Sequence, residues 1–193
     1  MKISDSKVPD KKRRLLEAAY AVFSTKGYKN TKIEEVATEA GVAKGTVYRY
    51  FKNKESLFFE LCQVFIDQME SEFVPLCNTS LFEFYTTMMA AMEKDKDFFL
   101  MFMEFWSYGS HAVMQEKFNG LYDNIRQSLV SLIQREQREG LIRKDVESDA
   151  LASSVIALAD GLVVQRYFCP GIDVLDVGMS FWKNIESGIR EKK

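Results

Sequence analysis

Apolar residues recur every three to four positions along almost the whole chain, and this spacing is the period of an α-helix. The first such stretch contains Leu15, Ala19 and Val22, and it predicts a helix that begins near Asp10 and ends before Gly27. The strict alternation of apolar and polar residues that marks half-buried strands is missing from the sequence, and so is any internal repeat. The pattern therefore predicts an all-α protein.

Two short amphipathic helices follow, separated by a tight turn. The first opens at Thr31, whose spacing from Glu34 predicts a reciprocal capping box, and it ends at Gly41. The apolar residues of the second helix share one face, which we expect to be buried: Val47, Tyr50 and Phe51. Two short helices joined in this way form a helix-turn-helix, and the second helix of this motif can lie in the major groove of DNA.

The remaining sequence predicts six longer helices. Asn53 caps the first of them, which runs to about Phe73. The others span about residues 80–93, 95–108, 113–139, 147–167 and 174–190. We therefore expect about nine helices in two domains, a three-helix head at residues 1–54 and a larger helical body at residues 55–193.

The charge of the chain divides at the same place as the predicted domains. The whole chain has a formal net charge of −2, with 26 Lys and Arg against 28 Asp and Glu. Residues 1–54 contain 13 basic and 6 acidic side chains, whereas residues 55–193 contain 13 and 22. A basic head on an acidic body favours a module that binds a polyanion such as nucleic acid. A solvated basic face without a partner is the alternative.

The composition argues against several other classes of protein. Hydrophobic residues make up 47% and charged residues 28% of the chain, which is ordinary for a soluble globular protein. No uninterrupted apolar run approaches the ~18 residues that span a bilayer, and no apolar stretch follows the basic residues at the N-terminus. We therefore expect a cytoplasmic protein without a membrane partner.

Residue types that form metal and catalytic sites are scarce. The single histidine, His111, and the 3 widely separated cysteines form no zinc-binding or disulfide pattern. Paired carboxylates, a nucleophile with its base and a phosphate-binding loop are all missing from the sequence. We therefore predict no metal, no cofactor, no catalytic residue and no enzymatic activity.

The second helix of the helix-turn-helix carries residues that are suited to DNA. Four of them are left to face outward when the apolar face is buried: Gly45, Thr46, Tyr48 and Arg49. The glycine lets DNA approach the helix closely, and the two hydroxyls can contact base edges. Lys44 lies in the first turn, where the helix N-terminus favours phosphate, and Arg49 and Lys54 can neutralise phosphates.

Residues 11–58 contain a series of short motifs that occur together in one protein family: Lys26-Gly27-Tyr28, Val36-Ala37, Ala40-Gly41-Val42, Lys44-Gly45-Thr46-Val47-Tyr48-Arg49-Tyr50-Phe51 and Lys52-Asn53-Lys54-Glu55-Ser56-Leu57. Through these motifs the segment resembles the TetR family of bacterial transcriptional repressors. The resemblance implies that the operator-contacting residues are Thr31, Lys44, Gly45, Thr46, Tyr48, Tyr50 and Lys54. It places Tyr50 near phosphate, whereas the helical period places the same residue nearer the core.

The resemblance also implies a homodimer in which the last two helices of each subunit form a four-helix bundle. The sequence offers an apolar stripe on the eighth predicted helix and a bulky patch on the ninth. The interface residues that we expect are Leu151, Val155, Leu158, Leu162, Phe181, Trp182 and Ile185. The alternative is that the patch packs within the subunit.

One segment of the body, residues 98–106, is apolar nearly all round and should be buried on all sides. Flexible methionines and flat aromatic rings suit a pocket that adapts to a hydrophobic or aromatic ligand. The candidate ligand-binding residues are Phe65, Met88, Met92, Phe102, Phe105, Trp106, Tyr122 and Gln165. For each of them, an ordinary packed core is the alternative.

These observations predict a ligand-responsive repressor that binds a palindromic DNA operator as a homodimer and is released by a small hydrophobic or aromatic inducer. An activator or dual regulator with the same head is the first alternative. The second is a helical enzyme, carrier or small-molecule-binding protein whose basic head is incidental. The third is a DNA-binding structural protein without a ligand.

Overall fold

The computed structural model describes residues 9–94, 97–98, 101, 103 and 112–191, and within these ranges it contains eight α-helices. Their bounds are α1 (Asp10–Asn30), α2 (Ile33–Glu39), α3 (Lys44–Tyr50), α4 (Lys54–Phe73), α5 (Leu81–Lys94), α6 (Ala112–Arg138), α7 (Ser148–Phe168) and α8 (Val174–Ile189). A short 3-10 helix, Val74–Asn78, follows α4. In these ranges the only β-type pairing is a bridge between Ile142 and Arg190, so the all-α prediction is confirmed. The helix predicted at 95–108 lies largely outside the described residues.

Local signals place several helix ends where the sequence predicts them. Gly41 has a φ of 65°, and the N–H of Val42 donates back across the turn at 2.9 Å, which is the Schellman arrangement that ends α2. Gly140, with a φ of 72°, ends α6 in the same way. Asn53 and Ser56 cap α4 reciprocally: the Asn53 side chain accepts from the Ser56 N–H at 2.7 Å, and the Ser56 hydroxyl oxygen accepts from the Asn53 N–H at 3.0 Å.

Two predicted helix ends differ from the structure. α1 continues for three residues beyond Gly27, although the helix is interrupted there because Gly27 has a φ of 77° and a ψ of 162°. The capping box predicted for Thr31 and Glu34 is wrong, since it is the Glu35 carboxylate that accepts from the Lys32 N–H at 2.9 Å. Thr31 does not cap α2 because its hydroxyl donates to the Gly27 carbonyl at 2.8 Å.

The chain forms two compact units, and the first consists of Met1–Gln68 and Asp97–Phe118. Within it, α2 packs against both α1 and α3. Phe58 of α4 meets Phe23 and Tyr28 of α1 edge to face, with ring centroids 5.6 and 5.0 Å apart. These aromatic contacts fix the start of α4 against the helix that supports the helix-turn-helix.

The second unit consists of Met69–Lys96 and Asn119–Lys193. In this unit α5 packs against α7 and α8, which also pack against each other. The carboxylate of Glu136, a buried residue of α6, accepts from the N–H of Leu81 at 3.0 Å and so caps the N-terminus of α5. The units divide within α4, whereas the predicted domain boundary follows residue 54; that boundary stays a prediction.

One helical stretch of the described chain, Ser148–Arg166, is long and apolar enough to cross a membrane by length and composition alone. Of this stretch, 33% is buried inside the protein. Core helices of soluble proteins meet the same criteria, and α7 packs against α5 and α8, so the stretch is weak evidence for a membrane span.

Candidate nucleic-acid interface and effector region

α3 exposes most of its surface. Val47 is the one buried residue of the helix, and the next residue after the helix, Phe51, is buried as well. The prediction that Tyr50 faces the core is wrong, because its side chain is 38% exposed. Tyr50 follows Val47 by three positions and therefore lies about 60° away from it around the helix. It occupies the edge of the buried face. The residues left accessible on α3 are Lys44, Gly45, Tyr48, Arg49 and Tyr50, with Thr46 half-buried.

Gly45 has no structural explanation in the part of the chain that the structure describes. Its φ is not positive, and a Cβ built on it would meet no heavy atom within 4 Å. Glycine within a helix costs about 0.5–1 kcal/mol relative to alanine. The open space in front of Gly45 is therefore available for the close approach of a partner.

Lys44 is held loosely on the exposed surface of α3. Its ammonium lies 2.5 Å from a carboxylate oxygen of Glu34 and 5.7 Å from the ring centroid of Tyr48. The hydrogen bond from Lys44 lowers the pKa of Glu34, and the same bond raises the pKa of Lys44. Solvent screens an exposed pair of this kind, so it contributes little to stability. Lys44 therefore remains available to a phosphate.

Lys54 lies at the start of α4, and its ammonium is already occupied. It donates to the backbone carbonyls of Tyr28, Lys29 and Thr31 at 2.8, 3.1 and 2.9 Å, and it lies 4.6 Å from the Tyr28 ring centroid. Three acceptors use all three protons of an ammonium group. Lys54 thus joins the C-terminal end of α1, where carbonyls are exposed, to the first turn of α4. Its role as an operator contact stays a prediction, and these hydrogen bonds speak against it.

Thr31 is placed in the interior of the first unit, with 2% of its surface exposed. Its hydroxyl donates to the Gly27 carbonyl, so it contributes to the break at the end of α1. The operator contact that the resemblance implies for Thr31 also stays a prediction, and burial of the side chain speaks against it.

The candidate ligand-binding residues that the structure describes fall in both compact units. Phe65 belongs to the first unit, where it is 1% exposed and stacks on Phe98 with ring centroids 3.8 Å apart. Met88 and Met92 of α5 are buried in the second unit, at 2% and 4% exposure. The remaining aromatic candidates of the apolar segment lie outside the described residues: Phe102, Phe105 and Trp106.

Two polar candidates lie on α6 and α7. The Tyr122 side chain is 40% exposed, and its hydroxyl donates to a carboxylate oxygen of Asp160 at 3.0 Å. Gln165 is exposed as well. Burial and, to a smaller extent, the nearby Asp160 charge raise the pKa of Tyr122. Burial also raises the pKa of Asp160, and the hydrogen bond from Tyr122 opposes that rise. The pair places a partly desolvated carboxyl group within the second unit.

Tyr85 of α5 and Trp182 of α8 form a buried pair that we did not predict from the sequence. Tyr85 and Trp182 stack with ring centroids 5.2 Å apart, and both are at most 2% exposed. Neither the Tyr85 hydroxyl nor the Trp182 Nε1 has a hydrogen-bond partner among the described residues. Burial raises the pKa of Tyr85 to about 12. A Cβ at Gly178 would lie 2.7 Å from the Tyr85 hydroxyl oxygen, so α8 needs a glycine at this position. A glycine within a predicted helix was the one sequence feature that could have indicated this close contact.

The residues predicted for the dimer interface divide into two sets. Val155, Leu162 and Trp182 are at most 3% exposed within the single subunit, so they pack inside the second unit. Leu151, Leu158 and Ile185 are half-buried, and Phe181 is 38% exposed. Further large apolar side chains are exposed on α7 and α8: Val164, Phe168, Leu175 and Val177.

Within the described ranges, no three His, Cys, Asp or Glu side chains are grouped closely enough to hold a metal ion. Polar and cationic groups that the structure leaves exposed for a partner lie on α3. An all-α chain whose helix-turn-helix presents a glycine, hydroxyls and cations on an exposed second helix has the construction of a DNA-binding regulator.

Comparison with known proteins agrees with this class. Residues 15–61 match the family model described as "Bacterial regulatory proteins, tetR family". Residues 79–177 match the model described as "BetI-type transcriptional repressor, C-terminal". The chain belongs to the TetR family of bacterial transcriptional regulators.

Relatives extend this similarity to different degrees. The HTH-type transcriptional repressor KstR2 of Mycobacterium tuberculosis is 22% identical over 193 residues, which cover 96% of both chains. Several regulators of Bacillus subtilis are 39–44% identical, but only over 57–63 residues. The aligned part of the chain spans a third or less of the length of those relatives.

Solved structures show the same fold over nearly the whole chain. A protein from Saccharomonospora viridis in complex with choline has a TM-score of 0.81 and 24% identity, and the match covers 94% of this chain and 98% of that one. FadR from Bacillus subtilis in complex with stearoyl-CoA has a TM-score of 0.69 and 21% identity, with 92% and 98% coverage. The ligands of these two proteins differ strongly in size and charge, so the shared fold does not by itself specify an effector.

Proposed function

We propose that the chain is a ligand-responsive repressor that binds a palindromic operator as a homodimer in the cytoplasm. The observation that carries the DNA-binding part is the exposed surface of α3 around Gly45. In the described chain nothing requires glycine there, although an alanine would favour the helix by up to about 1 kcal/mol. Close approach of DNA accounts for the glycine, and Lys44, Arg49 and Tyr48 surround it with groups that bind phosphates and base edges.

The test of this proposal is selection from a random duplex library, followed by sequencing of the retained DNA. We expect the wild-type protein to enrich one palindrome, because two identical recognition helices read two identical half-sites about one helical turn apart. Gly45→Ala should fold at least as stably as the wild type and bind the enriched site more weakly. Retention of no particular sequence by ligand-free protein would contradict the proposal.

Lys44→Ala and Thr46→Ala separate phosphate binding from base recognition. Lys44→Ala should weaken binding to all sequences and reduce the salt dependence of the affinity, because one phosphate contact is lost. Thr46→Ala should change which bases are preferred at one position of each half-site. If both variants bind like the wild type, α3 is not the recognition helix.

The homodimer is supported by apolar surface that the single subunit leaves uncovered. Val164 and Phe168 on α7 are 38% and 74% exposed, and Val177 and Phe181 on α8 are 41% and 38% exposed. These residues replace the buried Val155, Leu162 and Trp182 in the proposed interface. Val164→Glu together with Phe181→Glu should convert a dimer into a monomer in sedimentation experiments. Tyr48→Glu, on an exposed aromatic residue of α3, should leave the dimer intact.

The effector that we propose is a small hydrophobic or aromatic molecule bound in the second unit. Support comes from the methionine-rich buried face of α5, because methionine side chains adapt to apolar ligands. α4 contributes residues to both units, so a shift of α4 on effector binding would alter the spacing of the two DNA-binding heads and release the operator. An activator or dual regulator would use the same contacts, and the position of the operator relative to the promoter distinguishes them.

Thermal unfolding with defined probes tests the chemistry of the effector. A molecule that binds only the folded state raises its stability by about 2.7 kcal/mol at one hundred times its dissociation constant. We expect a long-chain fatty acid such as stearic acid to raise the unfolding temperature and choline to leave it unchanged. The opposite result would contradict a hydrophobic effector and leave the DNA-binding proposal untouched.

A further inference from the structure

Two buried hydrogen-bond donors, the Tyr85 hydroxyl and the Trp182 Nε1–H, lie where α5 packs on α8. α8 buries Val174, Gly178 and Trp182, which are four positions apart and share one face of the helix. The Tyr85 ring stacks on Trp182, and a Cβ at Gly178 would lie 2.7 Å from the Tyr85 hydroxyl oxygen. Gly178 therefore lets this hydroxyl enter the contact between the two helices.

Neither donor has a hydrogen-bond partner in the part of the chain that the structure describes. Both side chains are at most 2% exposed, so bulk solvent does not supply an acceptor either. Buried phenol and indole groups normally find an acceptor, because a donor that leaves water without one loses a hydrogen bond. Folding alone does not account for two such donors on stacked rings, whereas an acceptor on a bound molecule does.

The neighbours of the two donors indicate which acceptor would suit them. Met89 lies beside Gly178, and the Phe82 ring lies 5.7 Å from the Trp182 ring, so these surroundings are apolar. A carbonyl oxygen accepts two hydrogen bonds and brings no proton that needs an acceptor of its own. A water molecule brings two protons, and the donor pair offers them only the Tyr85 oxygen. A carbonyl group therefore matches the pair better than water does.

The charges of the second unit favour an acceptor that is uncharged. Burial raises the pKa of Tyr85 to about 12, so its hydroxyl stays a neutral donor at physiological pH. Among the described residues the only charged side chain that is buried is Glu136, which is acidic. A carboxylate at the two rings would therefore lose its hydration without gaining a buried cation. The carbonyl of a ketone, ester or amide avoids this cost.

α5 also supplies an apolar surface next to the donors. Three buried methionines follow Tyr85 after three, four and seven positions and so continue along the same side of the helix: Met88, Met89 and Met92. Their flexible side chains adapt to apolar ligands. The Phe82 ring, which is 38% exposed, connects the surface of the protein to Trp182.

We propose that Tyr85 and Trp182 form a polar subsite for the effector and donate to a neutral carbonyl oxygen, while the apolar body of the ligand lies along the methionines of α5. This inference rests on the proposed effector-binding function, and it narrows the effector to an apolar ketone, ester or amide. The Met89 side chain, whose Cε would lie 3.2 Å from a Cβ at Gly178, moves aside to admit the carbonyl group.

The experiment uses three probes of equal size that differ in one group: 4-phenyl-2-butanone, butylbenzene and 3-phenylpropanoate. Their affinities are measured by titration calorimetry for the wild type, Tyr85→Phe and Ser24→Ala. Tyr85→Phe should weaken binding of the ketone by about twofold to tenfold, the value of one neutral hydrogen bond, and leave butylbenzene unaffected. Without a probe this variant should unfold at the same or a higher temperature than the wild type, because it loses an unpartnered hydroxyl.

Ser24→Ala is the matched control. It removes another buried hydroxyl that has no partner among the described residues, but from α1 in the first unit. It should leave the affinity for all three probes unchanged. The wild type should bind the ketone more tightly than 3-phenylpropanoate, because the carboxylate would be buried without a cation.

The indole N–H resonance of Trp182 reports on the second donor. The chain has 2 tryptophans, so the resonance missing from Trp182→Phe identifies it. This resonance should move downfield on titration with the ketone and stay in place with butylbenzene. The subsite is overturned if the ketone leaves the resonance unchanged, or if Tyr85→Phe binds the ketone as tightly as the wild type. Butylbenzene or stearic acid binding would in that case leave the hydrophobic effector intact. If none of these molecules binds, the proposed effector function fails, and the subsite fails with it.

Discussion

α3 and α5 are both amphipathic helices, but their side chains are used in different ways. α3 buries one residue, Val47, whereas α5 buries seven, among them Tyr85, Met88 and Met92. On α3 the cations and most of the polar groups remain open to a partner. On α5 the three methionines and the rings of Phe84 and Tyr85 are packed within the second unit. The side chains that a short exposed helix offers to a partner can thus be expected from a motif, whereas a pocket depends on which buried side chains leave space between them.

Phe65→Ala should have the largest effect, because Phe65 of α4 is as deeply buried as the side chains of α5, in contrast to those of α3. Phe65 is 1% exposed and stacks on Phe98, so we expect a loss of about 3–5 kcal/mol in the free energy of unfolding. Denaturant unfolding of ligand-free protein measures it. Tyr48→Ala on α3 should change that free energy by no more than about 0.5 kcal/mol. A loss below about 1 kcal/mol for Phe65→Ala would show that the ring borders empty space and belongs to a pocket.

The buried hydroxyl of Tyr85 predicts a loss of stability at alkaline pH. Its pKa in the folded protein is raised to about 12, whereas tyrosine in an unfolded chain has a pKa of about 10. The neutral hydroxyl therefore contributes its full stability below about pH 10, and this contribution is lost as the pH rises toward 12. Two pKa units correspond to about 2.7 kcal/mol. Tyr85→Phe should lose less stability than the wild type over this range, and parallel curves would contradict burial of the hydroxyl.

Gly178→Ala tests how tightly α8 packs on α5. The added Cβ would lie 2.7 Å from the Tyr85 hydroxyl oxygen and 3.2 Å from the Met89 Cε, so the substitution should cost about 1–3 kcal/mol. Gly120→Ala on α6 is the matched control, because its Cβ would meet no heavy atom within 4 Å. The control should be neutral or stabilise the helix. Equal effects of the two substitutions would mean that α8 can move away from α5 without loss.

Lys54→Met tests whether Lys54 contacts phosphate, like the exposed residues of α3, or stabilises the fold through its hydrogen bonds to the end of α1. Loss of the three hydrogen bonds to the end of α1 should lower the free energy of unfolding by about 1–3 kcal/mol and leave the salt slope of operator binding unchanged. The exposed neighbour Lys52, changed to Ala, should leave stability unaltered. A salt slope reduced by about 0.9 for Lys54→Met would restore its assignment as a phosphate contact.

The smallest effect is expected for Glu34→Gln. The exposed Glu34 carboxylate pairs with Lys44, and solvent screens an exposed pair of this kind so that it contributes little to stability. Its neutralisation frees the lysine and removes a negative charge near the DNA, so operator affinity should rise by about twofold to fivefold. The unfolding temperature should stay unchanged. A fall in affinity would show that Glu34 orients Lys44 toward the phosphate.

Several helix ends in this chain were predictable from local signals. Gly41, Gly140 and Asn53 act through hydrogen bonds to residues a few positions away, and the structure confirms each of them. The error at Thr31 has the same origin, because its hydroxyl had a second local acceptor, the Gly27 carbonyl, that the capping pattern does not consider. The helix-turn-helix and the TetR family followed from these local signals and from the motifs around α3.

The sequence by itself determined the all-α class and the helix-turn-helix formed by α2 and α3. Only the tertiary structure decided that Tyr50 is exposed at the edge of the buried face of α3, that Lys54 is bound to the end of α1, and that Trp182 is buried against Tyr85. The physical reason is the separation along the chain of the residues that interact. Caps, turns and helical periods depend on neighbours in the chain, whereas burial and the partners of a long side chain depend on helices that are distant in sequence and meet only when the chain folds.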